Sequence, residues 1–269
     1  QKTFAQVCNI VEENPTHLPA IRVATNMAEK LANDTLLCRF MALQAQNLDN
    51  IAMRVIVWSN AAKIASQKLN QQDLAIEYYK QAFLLAPQQM DLCDQLLALL
   101  RQKRDFSAVD GILQIHTRSI SRKNQVIRFK EMADIYLNEF HNPQQAVIKL
   151  HQVLDIEHNN VEVLWKLAHI EYGEKHYSAA RTALETILEQ TGLDPALAAE
   201  ARAKLSELYI DNLNMPDKAI PLLQATLAND PENAGAIERM ADIYYEQSRL
   251  SESLALLLRL HNILPKPTT

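Results

Sequence analysis

The sequence has 269 residues, of which 48% are hydrophobic and 22% are charged, so it can bury a sizeable core and is not a disordered segment. Its net charge of −5 disfavours a DNA duplex as a partner, because neutralising phosphates requires clustered Lys and Arg. The four glycines and the scarcity of alternating β-branched runs argue against strands, which predicts an all-α fold.

Membrane insertion is not expected, because no apolar run approaches the roughly 20 residues that span a bilayer and no signal segment is recognised. The sequence begins at Gln1 without Met, which leaves a removed leader or a preceding domain open. Cys8, Cys38 and Cys93 cannot all pair with one another, and none has Cys-x-x-Cys spacing, so they are interpreted as reduced thiols. This favours the cytoplasm as the compartment, with the periplasm as the alternative.

Residues 1–54 form an N-terminal region in which the pattern is loose. Three amphipathic helices are predicted there, over residues 3–12, 19–31 and 34–46. They form either a degenerate repeat or a cap.

Residues 55–265 show a repeat of about six units, each opening a second apolar helical stripe at a small residue. These small residues are Ala75, Ala108, Ala146, Ala180, Ala219 and Ser253. The steps between them, 33, 38, 34, 39 and 34 residues, are those of a two-helix repeat. Turns between paired helices are predicted at residues 70–73, 103–106, 141–144, 174–177, 214–217 and 247–250. Pro265 ends the last unit, and residues 266–269 are a tail.

The period alternates, so that the regular unit is a pair of repeats of 71 to 73 residues. In each odd unit the inter-helix turn carries one extra residue, as in residues 69–73, 140–144 and 213–217. Pro143 and Pro216 are predicted to start second helices, where a missing amide hydrogen costs nothing.

The residues at fixed offsets in these units resemble the tetratricopeptide repeat. The best matches are Ala133, Tyr136 and Ala146; Ala168, Tyr177 and Ala180; Leu205, Tyr209, Ala219 and Pro231; and Met240, Ala241, Tyr244 and Pro265. The resemblance implies a right-handed α-solenoid of antiparallel helix pairs. It also implies a protein–protein interaction scaffold rather than an enzyme.

No pattern of reactive residues points to catalysis, a metal or a cofactor. None of the eight histidines falls in His-Glu-x-x-His, and no two lie three or four residues apart on one helix. A glycine-rich phosphate loop and a Gly-x-Ser-x-Gly elbow are both missing from the sequence. The basic cluster of Arg118, Arg122, Lys123, Arg128 and Lys130 is interpreted as a solvated face.

In the resembling family the first helix of each unit lines the concave face, and this offset places a partner-binding groove on the present chain. The groove residues that we predict from Lys130 onward are Lys130, Glu131, Asp134, Trp165, Lys166, His169, Tyr172, Lys204, Glu207, Asp211, Glu238, Arg239, Asp242, Tyr245 and Glu246. With Glu162 and Glu200, the face counts nine carboxylates against four cations, so it is expected to be acidic with an aromatic patch. Earlier in the chain the same offset gives Ser59, Asn60, Lys63 and Gln67.

The expected partner is a basic or amphipathic protein or peptide segment. Capture of a terminal carboxylate, as in some family members, is disfavoured because Asp134 stands where they carry Asn. Three alternatives remain open: a charged face that serves solubility alone, a structural spacer of a larger multiprotein or envelope assembly, and an accessory to a catalytic domain elsewhere. A longer chain or an oligomer is compatible with each of them.

Overall fold

A computed structural model describes residues 2–263, which form an all-α helical-repeat solenoid with no strand among them. Pro265 and the tail at 266–269 lie outside the described residues. The helices are α1 (Lys2–Glu13), α2 (Leu18–Lys30), α3 (Asp34–Asn47), α4 (Ile51–Gln67), α5 (Gln72–Leu85), α6 (Met90–Gln102), α7 (Phe106–Ser119), α8 (Arg122–Asn138), α9 (Pro143–Leu154), α10 (Val161–Gly173), α11 (Tyr177–Leu188), α12 (Pro195–Glu207), α13 (Pro216–Asn229), α14 (Ala234–Glu246) and α15 (Leu250–Ile263). Every inter-helix turn predicted from the repeats is confirmed.

Short polar side chains mark where many of the helices begin. Asn33, Asn50, Asn142, Asn160 and Asn233 each accept a hydrogen bond from a backbone N–H in the first turn of the following helix. Such N-caps satisfy donors that have no partner within the helix. Prolines stand at the first position of α9 and α13, as their sequence positions predicted.

The turn that follows each first helix contains one residue with a left-handed backbone. The non-glycine residues with positive φ in the described chain are Ala32, Asn70, Arg104, His141, Lys175, Asn214 and Ser248. The next residue donates its N–H to a carbonyl five residues back in the α2, α6, α10 and α14 turns, and six back after α4, α8 and the α12 region. The extra residue that the sequence predicted in odd turns is therefore present. The turn between α2 and α3 has the shorter geometry, like those after α6, α10 and α14.

First helices also alternate in length, which the sequence pattern had not revealed. The helices α2, α6, α10 and α14 have 13 residues each, whereas α4 and α8 have 17. After its 13 residues, α12 continues as a π-helical segment, Leu208–Asn212. Most of the difference between the short and long repeat steps thus comes from about one additional helical turn.

The chain comprises two compact units, residues 1–128 and 129–269. In the first unit, the core around α1–α3 is built from Val11, Ile21, Phe40 and neighbouring buried side chains. The small residue Ala75 is fully buried where α5 packs on α4, so the two helices approach closely.

Arg128 is buried in the first unit, so its interpretation as part of a solvated face was wrong. Its guanidinium donates to Asp94 Oδ1 at 2.9 Å and to His116 Nε2 at 3.3 Å. His116 is itself buried and donates from Nδ1 to the Pro87 carbonyl at 2.6 Å. A carboxylate and a neutral imidazole therefore compensate for the desolvation of Arg128.

In the second unit, the predicted small positions are buried between paired helices. These residues are Ala133, Ala146, Ala168, Ala180 and Ala219. Ser253 takes the equivalent place in α15, and its hydroxyl donates to the Ala241 carbonyl at 2.9 Å. The three cysteines, all within the described residues, are reduced thiols as predicted.

Candidate functional site

The predicted groove residues of the second unit lie on α8, α10, α14 and the α12 region, and we call them the first-helix surface. None of these side chains is fully buried. The half-buried ones are Lys130, Glu131, Asp134, Trp165, Lys166, Glu207 and Arg239, and the exposed ones are His169, Tyr172, Lys204, Asp211, Glu238, Asp242, Tyr245 and Glu246. All fifteen are therefore at least partly accessible, as a binding surface requires.

Trp165 lines a small open cleft of about 60 Å³ in the first-helix surface. The cleft is lined by Trp165, Ala168, His169 and Tyr172 of α10, Ala180 and Leu184 of α11, and Lys204 of α12. This volume is far below the roughly 300 Å³ or more of small-molecule pockets. The cleft therefore suits the end of an apolar side chain better than a metabolite or a cofactor.

Local contacts fix the orientation of the cleft aromatics. His169 Nδ1 donates to the Trp165 carbonyl at 3.0 Å, and the two rings meet edge to face with centroids 5.3 Å apart. The Tyr172 ring packs on Tyr177 at 5.7 Å in a similar geometry. Rings held in this way lose little further conformational freedom when a ligand binds.

Each of the four cations of the first-helix surface forms an ion pair with a carboxylate on the same or a neighbouring first helix or in the π-helical segment. Lys130 lies 2.6 Å from Glu162, and Lys166 contacts Asp134, so two pairs connect α8 to α10. Arg239 of α14 lies 3.1 Å from Asp211 in the π-helical segment, and Lys204 lies 3.7 Å from Glu207 within α12. The positive charges on this surface are thus neutralised locally.

Four carboxylates form no ion pair with any of the described residues. These are Glu200 in α12 and Glu238, Asp242 and Glu246 in α14, all of them exposed. The three in α14 are spaced four residues apart and so form one row along the helix. Tyr245, strongly exposed, lies beside this row. The net negative charge of the surface is therefore concentrated on α14 and the first turns of α12.

The repeat pattern did not indicate the second-helix residues of the cleft or the ion pairs between first helices. A signal for the pairs was present, because Lys130 and Glu162 stand 32 residues apart, as do Asp134 and Lys166. Opposite charges one repeat apart can meet on neighbouring first helices. The π-helical segment around Asp211 had no signal that we recognised.

No group of three or more His, Cys, Asp or Glu side chains suited to a metal ion occurs among residues 2–263. In the same range, no helix combines the length and the apolar character needed to cross a bilayer.

These features define a class of protein, the α-helical repeat proteins. The tetratricopeptide-repeat profile matches residues 137–210 and 213–267, so this part of the chain carries tetratricopeptide repeats. Proteins with such repeats are generally interaction scaffolds whose partners are proteins or peptides, and the match supports the same broad role for this chain. No curated protein sequence matches it.

The chain is similar to several solved structures at low sequence identity. The Naa15/Naa10 complex bound to HypK-THB matches 90% of this chain and 36% of its own chain, with 17% identity and a TM-score of 0.50. MamA matches 65% and 88%, with 20% identity and a TM-score of 0.43. YrrB, described as a TPR protein with an unusual peptide-binding site, matches 79% and 88%, with 17% identity and a TM-score of 0.38. The similarity to the Naa15/Naa10 complex concerns the fold alone.

Proposed function

We propose that this protein is a non-catalytic scaffold that captures a basic or amphipathic segment of a partner protein on the first-helix surface. Trp165, Tyr172 and Tyr245 are the apolar anchors, and the carboxylates of α12 and α14 select the charge of the partner.

The half-buried Trp165 in its open cleft is the observation that carries this proposal. A tryptophan packed as core would leave no cleft beside it, and a fully exposed one would lack the surrounding walls that exclude water. Well-packed aromatic pockets of this kind are where binding energy concentrates in protein interfaces. Burial of Trp165 by a partner is expected to contribute about 2 kcal/mol or more.

The charge distribution supports the same partner class. Since the cations of the surface are already paired, an incoming basic segment meets Glu200 and the α14 row without displacing an existing ion pair. Exposed charges act mainly on the rate of encounter and on specificity, and salt screens them over roughly 8 Å at physiological ionic strength.

The test begins with 12-residue peptides selected from a random phage-displayed library on the full chain. We expect the enriched peptides to carry an excess of Lys and Arg around an aromatic or large aliphatic residue. Trp165→Ala should weaken binding of the best peptide more than tenfold in fluorescence anisotropy while leaving the thermal melt nearly unchanged.

Two control variants sharpen this experiment. Trp165→Phe should retain most of the affinity because it keeps an aromatic ring in the cleft. Ile148→Ala removes an exposed apolar side chain from α9, a second helix, and should leave binding unchanged. Enrichment of acidic peptides, or unfolding of the Trp165→Ala variant, would contradict the proposal.

A structural spacer in a larger assembly is the second candidate function. It is favoured by the large apolar residues exposed on α15, because contiguous exposed apolar patches mark interaction sites. Under this function Trp165→Ala would be neutral, whereas changes on α15 would disrupt assembly.

A further inference from the structure

An open cavity of about 400 Å³ lies in the second unit where α11 ends. The loop at residues 189–194 and the helices α12 and α13 complete its walls. Its apolar lining consists of Leu188, Leu193, Ala198, Leu222 and Ala225. Unlike the cleft beside Trp165, this cavity falls within the roughly 300–1,000 Å³ that is usual for small-molecule pockets.

Arg202 of α12 contributes a cation to this cavity. It is half-buried, and its guanidinium forms no hydrogen bond or ion pair with any of the described residues. The residues one turn away on α12 are Ala198, Ala199, Leu205 and Ser206, none of which carries a neutralising charge. Arg202 therefore differs from the four cations of the first-helix surface, each of which has a carboxylate partner.

Gln190 in the loop adds a hydrogen-bond donor to the lining. Its side-chain Nε2 is buried and has no acceptor among the described residues. Buried polar groups in folded proteins nearly always have a partner, so an exception calls for an explanation. The cavity thus combines two donor groups that lack acceptors, one of them permanently positive, with apolar walls.

We propose that this cavity is a binding site for a small aliphatic monocarboxylate. The two oxygens of a carboxylate can accept hydrogen bonds from the Arg202 guanidinium and from Gln190 Nε2, while the aliphatic body packs on the apolar walls. Glu189 and Asp194 stand exposed at the two ends of the loop. Their negative charges disfavour an anion of higher charge, such as a phosphate monoester.

The proposed site is separate from the first-helix surface. Arg202 stands two residues from both Glu200 and Lys204 of that surface, and positions two residues apart lie on nearly opposite sides of a helix. Binding of a carboxylate here is therefore independent of the capture of a partner segment, and Trp165→Ala should leave it unchanged.

The test is a titration of the full ¹⁵N-labelled chain with hexanoate, followed by NMR. We expect the side-chain amide signals of Gln190 and the backbone amide signal of Gly192, which also lines the cavity, to shift and to saturate. Saturation should occur in the millimolar range, because so small a ligand has limited binding energy. Hexan-1-ol has the same aliphatic chain without the charge and should cause no saturable shift.

Three variants locate the bound carboxylate. Arg202→Gln should weaken hexanoate binding more than tenfold, because glutamine keeps amide donors but carries no charge. Lys149→Gln is the matched control, since Lys149 is a half-buried cation of α9, outside the cavity, that also forms no ion pair with the described residues. Leu193→Glu leaves Arg202 in place and supplies a tethered carboxylate, so it should block hexanoate binding.

Three results would overturn the proposal. Equal shifts with hexan-1-ol would mean that the cavity recognises only the aliphatic chain. Unchanged affinity in the folded Arg202→Gln variant would place the bound carboxylate away from the guanidinium. Gln190 signals that do not respond to hexanoate would mean that water alone satisfies the buried amide.

Discussion

At the scale of single residues, left-handed backbone conformations recur at the same place in successive turns. Glycine is usual at such positions because it has no Cβ to clash with the following carbonyl. Here Asn70, His141 and Asn214 occupy the longer turns, whereas Ala32, Arg104, Lys175 and Ser248 occupy the shorter ones. Asn and His adopt this conformation more readily than most non-glycine residues, so the strain is concentrated in the shorter turns.

Lys175→Gly should therefore stabilise the protein. The substitution relieves a backbone cost of about 1–2 kcal/mol and loses part of that gain to the greater freedom of glycine in the unfolded chain. We expect a net increase of about 0.5–1 kcal/mol in the free energy of unfolding, measured by urea denaturation.

Asn214→Gly provides the comparison for this change, because Asn tolerates the left-handed region. Its effect should be markedly smaller than that of Lys175→Gly. Equal effects, or destabilisation by Lys175→Gly, would show that the left-handed backbone costs Lys175 no more than it costs Asn214.

At the scale of helices, ion pairs connect α8 to α10 in the second unit. Lys130 pairs with Glu162 and Lys166 pairs with Asp134, so each helix contributes one cation and one carboxylate. This crossed arrangement disfavours sliding of one helix past the other, since a shift of one turn would bring like charges together.

A double-mutant cycle measures the contribution of the Asp134–Lys166 pair. Asp134→Lys should destabilise the protein by placing two cations together, and Asp134→Lys with Lys166→Asp should recover most of the loss. Because both side chains are partly exposed, we expect a coupling of about 0.5–1 kcal/mol that falls in high salt. A coupling near zero at low salt would mean that packing alone orders these helices.

At the scale of the whole molecule, buried acidic groups should make stability depend on alkaline pH. Burial raises the pKa of the Cys38 thiol to about 11, and burial with a hydrogen bond to Glu185 raises the pKa of Tyr209 to about 12. The folded state therefore retains protons that the unfolded state releases above about pH 9 for the thiol and about pH 10 for the phenol.

This difference in bound protons means that the free energy of unfolding decreases as the pH rises through the alkaline range. The contribution of these two groups to stability should be constant at neutral pH and should decrease as the pH rises from about 9 toward 11–12. Urea midpoints measured between pH 8 and about 11 test this, and Cys38→Ala should flatten the early part of the decline relative to its own value at pH 8. A midpoint that does not change above pH 9 would contradict the expected protonation of both groups in the folded state.

The sequence by itself determined the helices, their turns and the small residues between paired helices. These features depend on local chemistry and on the repeat period, and both can be recognised in the amino-acid sequence. In α9, for example, Asn142 caps the helix, Pro143 starts it and Ala146 allows close packing. The same period placed the first-helix surface, because residues at one offset fall on equivalent helix faces.

Only the tertiary structure decided which side chains meet. Lys130 and Lys166 were counted among the four cations of the surface without any partner being assigned, and the structure pairs each with a carboxylate on a neighbouring helix. Arg128 was assigned to a solvated face, yet it is buried against His116 and Asp94. Counting charges in the sequence does not identify such partners, because pairing depends on how the helices approach one another in space. For the same reason the open cleft beside Trp165 and the uncovered face of α15 emerge only from the packed helices.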